Sequence, residues 1–187
     1  MRKELTLGLF ICLIIAQASV PLSMIFHRES ILKNGAVFLF RGAPVDPFDA
    51  FRGRYVTLSV EEEKAPRPEG IELRLGNKIY GVLEKDAGGF ARIARVSVRA
   101  PDGAEYITAR VAYLAGEHVF MDLGINRYYM EESKAPLAEK AYRENIVSGK
   151  SDVYVKVRVL DGEAVVEGLY IGGERIEEIL EGAKKTV

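Results

Sequence analysis

The sequence predicts a mainly β protein of the α+β class. An N-terminal transmembrane helix precedes an antiparallel sheet or small barrel that carries one or two short helices. Three observations predict this fold. Leu5–Ile25 contains no charged residue over 21 positions. Short runs with strand character then recur between turn residues. Two later segments, beginning near Pro136 and Glu174, change to helical spacing of their apolar residues.

Leu5–Ile25 is long enough to cross a bilayer. At 1.5 Å per residue it spans roughly 30 Å, the thickness of the hydrocarbon layer. Arg2 and Lys3 precede it, so the positive-inside bias predicts a cytoplasmic N-terminus and a translocated C-terminal domain. We therefore expect residues 5–25 to contact membrane lipid.

A cleaved signal peptide is the alternative interpretation of this segment. Ala16-Gln17-Ala18 has the small-x-small form of a cleavage site, and Leu5–Ile15 fits the apolar region of a signal peptide. The apolar character continues to Phe26, which favours an uncleaved anchor. The next residues keep helical spacing, so we expect the helix to continue as a stalk until Gly35 caps it.

Residues 1–35 are thus predicted to form the anchor and stalk, and residues 36–187 a β-rich domain. Gly76-Asn77 and Asp161-Gly162 have the composition of tight hairpin turns. The last hairpin is expected to join the main sheet, because an isolated hairpin is only marginally stable. The predicted strands are Ala36–Phe40, Tyr55–Val60, Ile71–Leu75, Lys78–Leu83, Phe90–Val98, Tyr106–Leu114, His118–Leu123, Val153–Leu160 and Ala164–Ile171.

Two short helices are predicted within the β-rich domain. Apolar residues share one helical face of Pro136–Val147, and Gly149 follows as a stop signal. Glu174–Leu180 shows the same spacing and is expected to close the chain.

The composition argues against several classes of function. The chain has 26 Lys and Arg residues against 27 Asp and Glu residues, so it lacks the basic surplus of a nucleic-acid-binding protein. Its single cysteine, Cys12, excludes an intramolecular disulfide and a cysteine-based zinc site. His27 and His118 have no ligand partner at metal spacing. We therefore predict no metal, no cofactor and no nucleic-acid partner.

The segment Ala43–Val60 concentrates turn-forming and charged residues. Its prolines exclude a central strand at that place, and its aspartates suit turn and cap hydrogen bonds. Ion pairs between the aspartates and the nearby arginines would account for this cluster of charges, so no ligand is needed to explain it. If the segment binds or reacts, these residues are the candidates. They are Asp46, Asp49, Arg52, Arg54 and Tyr55.

This segment resembles the bacterial membrane-anchored family named for its GDYXXLXY motif, in which a PVDPxDxFRGDYVxLxY-like block follows the membrane helix. The matching residues are Pro44–Pro47, Asp49, Phe51–Gly53 and Tyr55–Leu58. Arg54 replaces the motif Asp and Val60 replaces the final Tyr. A role of the motif Asp is therefore not carried over to Arg54.

The resemblance extends over nearly the whole chain, including Lys78–Lys85 and Gly124–Glu132. It implies a single-pass protein of the bacterial inner (cytoplasmic) membrane, with its C-terminal domain outside the cytoplasm. It implies no particular reaction.

Three functions are compatible with the sequence. The first is a non-enzymatic membrane-tethered domain that binds or scaffolds another membrane or envelope component, such as a polytopic membrane protein. It is favoured because the chain has neither a Walker A sequence nor a nucleophile elbow. The second is a hydrolase that uses Asp46 or Asp49 as its acid or base. The third is a protein that binds an anionic small molecule at Arg52 and Arg54.

Two further groups of residues have a structural and a functional interpretation. Tyr128 and Tyr129, next to Arg127, form either a binding surface or, as we expect, one buried and one exposed ring. Glu61–Glu63 is expected to be the solvated end of a loop.

Overall fold

The computed structural model describes residues 2–44, 55–68, 70–149 and 152–185, and these confirm the predicted mainly β fold behind an N-terminal helix. The helices are α1 (Arg2–Asn34), α2 (Ala135–Ser148) and α3 (Ile176–Lys185). The strands are β1 (Ala36–Arg41), β2 (Tyr55–Thr57), β3 (Lys64–Pro66), β4 (Lys78–Lys85), β5 (Ala91–Ser97), β6 (Tyr106–Ala115), β7 (His118–Asp122), β8 (Arg127–Tyr129), β9 (Val153–Leu160), β10 (Glu163–Ile171) and β11 (Glu174–Arg175). A short 3₁₀ turn, Glu61–Glu63, precedes β3.

Helix α1 has the length and composition of a membrane anchor. Within its stretch Thr6–Asn34, an 18-residue window has a mean hydropathy of 2.2, and the helix is long and apolar enough to cross a bilayer. Its large apolar side chains from Leu7 to Phe26 are exposed to the surroundings. The helix continues through Pro21 to Asn34, so the predicted helical stalk is present.

The end of α1 is built into the β-rich domain. Ile31 is only 2% exposed, and the Gly35 amide donates to the Ile31 carbonyl at 2.8 Å. Gly35 does not take the left-handed conformation of a typical capping glycine. A glycine is needed because a Cβ atom there would lie 2.6 Å from the Ile31 oxygen and 3.0 Å from the Val159 oxygen. The helix and β9 are therefore in direct backbone contact.

The first sheet has the antiparallel order β1-β9-β10-β11. Four alternate valines of β9 are buried, while the residues between them are half-buried, as the strict alternation predicts. Asp161 and Gly162, with φ of 51° and 80°, form the predicted tight turn between β9 and β10.

The second sheet has the antiparallel order β3-β7-β6-β4-β5. Its two edge strands, β3 and β5, contact each other, so the sheet curls into a nearly closed barrel. The short strands β2 and β8 form a separate two-stranded ribbon, and α2 packs against β2. Buried side chains from both sheets, the ribbon, α2 and α3 belong to one hydrophobic cluster.

Two local predictions were wrong. Ile71–Leu75 is not a strand, although the turn that follows it is present, with Gly76 at a φ of 77°. Both sides of β4 are occupied by β5 and β6, so no free edge remains for Ile71–Leu75. The last hairpin pairs with β1, and among the described residues a single backbone bridge, between Ile107 and Gly162, joins it to the five-stranded sheet.

We expect Gly35→Ala to lower the free energy of unfolding by about 1–3 kcal/mol, because the new methyl group would force apart two backbones that cannot yield easily. Thermal unfolding of the full chain in detergent, followed by circular dichroism, measures the change. Gly182→Ala in α3 is the matched control, since a Cβ there meets nothing within 4 Å and alanine favours helix. Equal melting temperatures for Gly35→Ala and the wild type would contradict the close contact.

Candidate functional site

The segment Ala43–Val60 leaves the first sheet at the end of β1 and returns to it. Gly42 bridges to Val60, and the Ala43 amide donates to the Ser59 carbonyl at 2.8 Å. The two ends of the segment thus lie side by side. Of the predicted binding residues, Asp46, Asp49, Arg52 and Arg54 lie outside the described residues. Tyr55 is described and begins β2.

Tyr142 of α2 binds both ends of this segment. Its ring is fully buried, and its hydroxyl lies 2.8 Å from the Ala43 carbonyl and 2.9 Å from the Ser59 carbonyl. The hydroxyl also accepts a longer hydrogen bond from the Ser59 amide, at 3.4 Å. Burial raises the pKa of Tyr142 to about 12, so the phenol stays neutral and remains a donor.

The ribbon that follows presents an aromatic and cationic surface. Tyr55 lies opposite Tyr129 in the register of β2 and β8, and their ring centroids are 5.5 Å apart. The guanidinium of Arg127 lies 5.3 Å from the centroid of the Tyr55 ring. A hydrogen bond with Tyr129 raises the pKa of Arg127, so the cation is permanent. Tyr129 is 66% exposed.

The neighbouring ring, Tyr128, points the other way and fixes the ribbon to the core. Tyr128 is buried, and its hydroxyl donates to Glu177 of α3 and accepts from Arg175 at 3.2 Å. Burial raises the pKa of Tyr128. One ring buried and one exposed is the arrangement that the sequence led us to expect.

Glu62 corrects an expectation, because Glu61–Glu63 is not simply a solvated loop end. Glu61 is exposed, but Glu62 is only 8% exposed, and its Oε2 atom has no hydrogen-bond partner among the described residues. Burial raises the pKa of Glu62 from 4.5 to about 7. The 3₁₀ turn lies against strands of both sheets, which no local pattern in the sequence indicates.

A second group that sequence reasoning missed connects the two sheets. Arg41 of β1 donates to Asp86, in the turn after β4, at 2.7 Å, and its guanidinium lies 4.0 Å from the centroid of the Phe90 ring. The hydrogen bond with Arg41 lowers the pKa of Asp86. Phe90 meets Tyr154 edge to face, and Tyr154 stacks on Tyr170. Their internal partners give these residues a structural role.

The histidines lie apart, as their sequence positions suggest. His27 of α1 contacts Glu163 at 2.8 Å, whereas His118 begins β7. Within the part of the chain that the structure describes, no three His, Cys, Asp or Glu side chains are grouped so that they could hold a metal ion.

Comparison with known proteins gives one match. The model of the GDYXXLXY protein family matches residues 17–169, a range that includes Tyr142 and both strands of the ribbon. No curated protein and no solved structure matches the chain.

We expect Tyr142→Phe to lower the free energy of unfolding by about 1–3 kcal/mol, since the part-buried carbonyls of Ala43 and Ser59 lose the hydroxyl donor. Urea unfolding of the full chain in detergent measures the difference. Tyr113→Phe is the control, because Tyr113 is an exposed tyrosine whose hydroxyl makes no hydrogen bond in the described structure. A Tyr142→Phe protein as stable as the control would contradict the role of the hydroxyl.

The carboxyl of Glu62 makes stability depend on pH. Because the folded pKa of about 7 exceeds the usual value of 4.5, the unfolded chain loses this proton first as the pH rises. Stability therefore falls between pH 4.5 and pH 7. We expect Glu62→Gln to remove most of this fall, leaving the contribution of Glu63, whose pKa burial also raises. The variant should be more stable than the wild type above pH 7, by on the order of 2 kcal/mol. Melting temperatures across this pH range test the expectation, and Glu61→Gln, at an exposed position, should leave the fall intact.

Proposed function

The chain belongs to the GDYXXLXY family, and from this premise we propose that it is a membrane-tethered envelope domain that binds or scaffolds another membrane or envelope component. Helix α1 has the length and composition to tether it. Arg2 and Lys3 before the apolar stretch favour the inner membrane topology in which the β-rich domain lies outside the cytoplasm.

The surface formed by Tyr55, Arg127 and Tyr129, here called the ribbon surface, carries the proposal. Tyrosine and arginine are the residue types that contribute most to protein–protein binding energy when they are covered by a partner. An exposed tyrosine that packs against a second ring at a tilt of 58° and is flanked by a permanent cation provides apolar area, hydrogen-bond capacity and charge together.

The ribbon surface is also held rigidly, which favours recognition. The Tyr142 hydroxyl contacts Ser59, two residues after β2, and the Tyr128 hydroxyl joins β8 to Glu177 of α3. A surface whose backbone is already fixed loses little conformational entropy when a partner covers it.

We propose a polytopic membrane protein as the partner. A tethered domain and a membrane-embedded partner share the same thin layer, so the anchor raises their effective concentration and a modest interface suffices. The balanced charge of the chain, with a formal net charge of −1, offers no comparable support for a nucleic acid. The hydrolase and anion-binding hypotheses rest on Asp46, Asp49, Arg52 and Arg54, and no contact of the described residues favours either of them.

We expect Tyr129→Ala and Arg127→Ala each to reduce the recovery of a stoichiometric polytopic partner at least fivefold, since loss of a central interface residue costs more than about 1 kcal/mol. The measurement is co-purification of the full-length chain from membranes in mild detergent, with the partner quantified by mass spectrometry.

Tyr113→Ala is the matched control for this experiment. Tyr113 is 51% exposed and stacks on Phe120 in the five-stranded sheet, so its loss removes a similar ring from a different surface. Equal recovery with Tyr129→Ala and the wild type, or an equal loss with Tyr113→Ala, would contradict a specific role of the ribbon surface.

A further inference from the structure

A cavity of about 370 Å³ lies where α1 meets the hairpin of β9 and β10. The helix contributes Met24, His27, Arg28 and Ile31 to its wall. The β-rich domain contributes residues that include Thr108 and Glu163. The volume is within the range of small-molecule sites in proteins.

The position of this cavity along α1 places it at the surface of the bilayer. The uncharged stretch Leu5–Ile25 spans roughly 30 Å. Met24 is therefore at the edge of the hydrocarbon layer, and His27 and Arg28 lie one turn further, among the lipid headgroups. A ligand that enters from the membrane would arrive headgroup first.

The cavity carries one cation that has no acidic partner. Among the described residues, no carboxylate lies within ion-pair distance of Arg28, whereas Lys33, in the next turns, pairs with Glu29 at 3.2 Å. A guanidinium presents two parallel donors that match the oxygens of a phosphate. Arg28 is thus suited to an anionic group from outside the chain.

The same cavity carries a carboxylate with spare acceptor capacity. Glu163 accepts from, or shares a proton with, His27 through Oε2 at 2.8 Å. Its Oε1 atom has no hydrogen bond within the described part of the chain, and a carboxylate offers about four acceptor positions. A simple anion would be repelled by Glu163, but a ligand with an ammonium group would be attracted.

The apolar part of the wall faces the membrane side. Met24 belongs to the exposed apolar stretch of the helix, and the buried Ile31 and Leu123 complete the wall towards the protein core. A cavity with an apolar wall, one positive side chain (Arg28) and one negative side chain (Glu163) is suited to an amphiphile with a zwitterionic headgroup.

We propose that this cavity binds the headgroup of a phospholipid of the phosphoethanolamine class, with Arg28 contacting its phosphate and Glu163 its ammonium group. The proposal rests on the membrane anchor of the proposed function. It adds a defined lipid site beyond the general contact of residues 5–25 with the bilayer.

The test uses delipidated full-length protein in detergent and native mass spectrometry. Three lipids with identical acyl chains are compared: phosphatidylethanolamine, phosphatidylglycerol, which lacks the ammonium, and diacylglycerol, which lacks both groups. We expect phosphatidylethanolamine to be retained best and diacylglycerol least. Arg28→Gln should weaken retention of both phospholipids roughly tenfold, since it removes a charge-assisted hydrogen-bonding group. Glu163→Gln should abolish the preference for phosphatidylethanolamine.

Matched controls are Lys33→Gln and Glu29→Gln, which change a cation and a carboxylate of the same helix outside the cavity and should leave retention unchanged. Arg28→Lys, which keeps the charge, should restore most of it. Glu163 is exposed on the hairpin, so its substitution should not unfold the protein, and melting temperatures verify this.

Several results would overturn the proposal. Equal retention of the three lipids would indicate non-specific lipid around the helix, and a preference for phosphatidylglycerol would exclude the role of Glu163. Glycerophosphoethanolamine binding as tightly as the lipid would identify a soluble ligand as the source of the headgroup. The intact mass of the purified chain distinguishes failure of the lipid-site proposal from failure of the membrane-anchor proposal. A mass that shows cleavage after Ala18 would overturn both proposals. A mass that shows the complete helix, together with no lipid preference, would overturn the lipid site alone.

Discussion

The hydroxyl of Tyr142 is the contact on which the rest of the arrangement depends. It joins the carbonyls of Ala43 and Ser59, and these residues mark the points where the chain leaves the first sheet and comes back. The returning chain leads through the 3₁₀ turn into β3, an edge strand of the second sheet. One buried phenol therefore fixes the crossing between the two sheets, and it also fixes the ribbon strand β2 that lies just before Ser59.

Two buried polar groups near this crossing differ in their hydrogen bonding. The Tyr142 hydroxyl has carbonyl acceptors for its hydrogen and accepts from the Ser59 amide, so its burial costs little. Glu62 is buried, and one of its carboxyl oxygens has no hydrogen-bond partner among the described residues. A buried carboxylate without a partner lowers the stability of the fold while it is charged. Burial of Glu62 raises its pKa to about 7, so the stability of the turn between the sheets depends on pH near neutrality.

Local patterns in the sequence correctly predicted those strands and turns that neighbouring residues alone specify. The alternating valines of β9 and the Asp161-Gly162 turn specify their hairpin without help from the rest of the chain. The alternation of Ile71–Leu75 is as clear, but a strand also needs a free neighbour, and β4 has none.

In the candidate site, too, the sequence indicated individual residues but not the contacts between distant segments. Tyr55 was identified from its own segment, whereas its partners Arg127 and Tyr129 come from a strand about seventy residues later. Glu62 was misjudged because its burial results from the packing of two sheets around it. Pairings between distant segments are set by the whole core, and a single sequence contains no direct signal for them.

The connection between α1 and the β-rich domain decides how a partner can be recognised. A flexible linker would let the domain adopt many orientations above the membrane. Here the helix runs into β1 with one intervening residue, Ile31 is inserted in the core, and Gly35 lies against the backbone of β9. The domain therefore has a set orientation relative to its helix. In the proposed tethered state, the ribbon surface would be presented at a fixed height and direction. A membrane-embedded partner would then meet it in one geometry, and a small surface of two tyrosines and an arginine would be sufficient for selection.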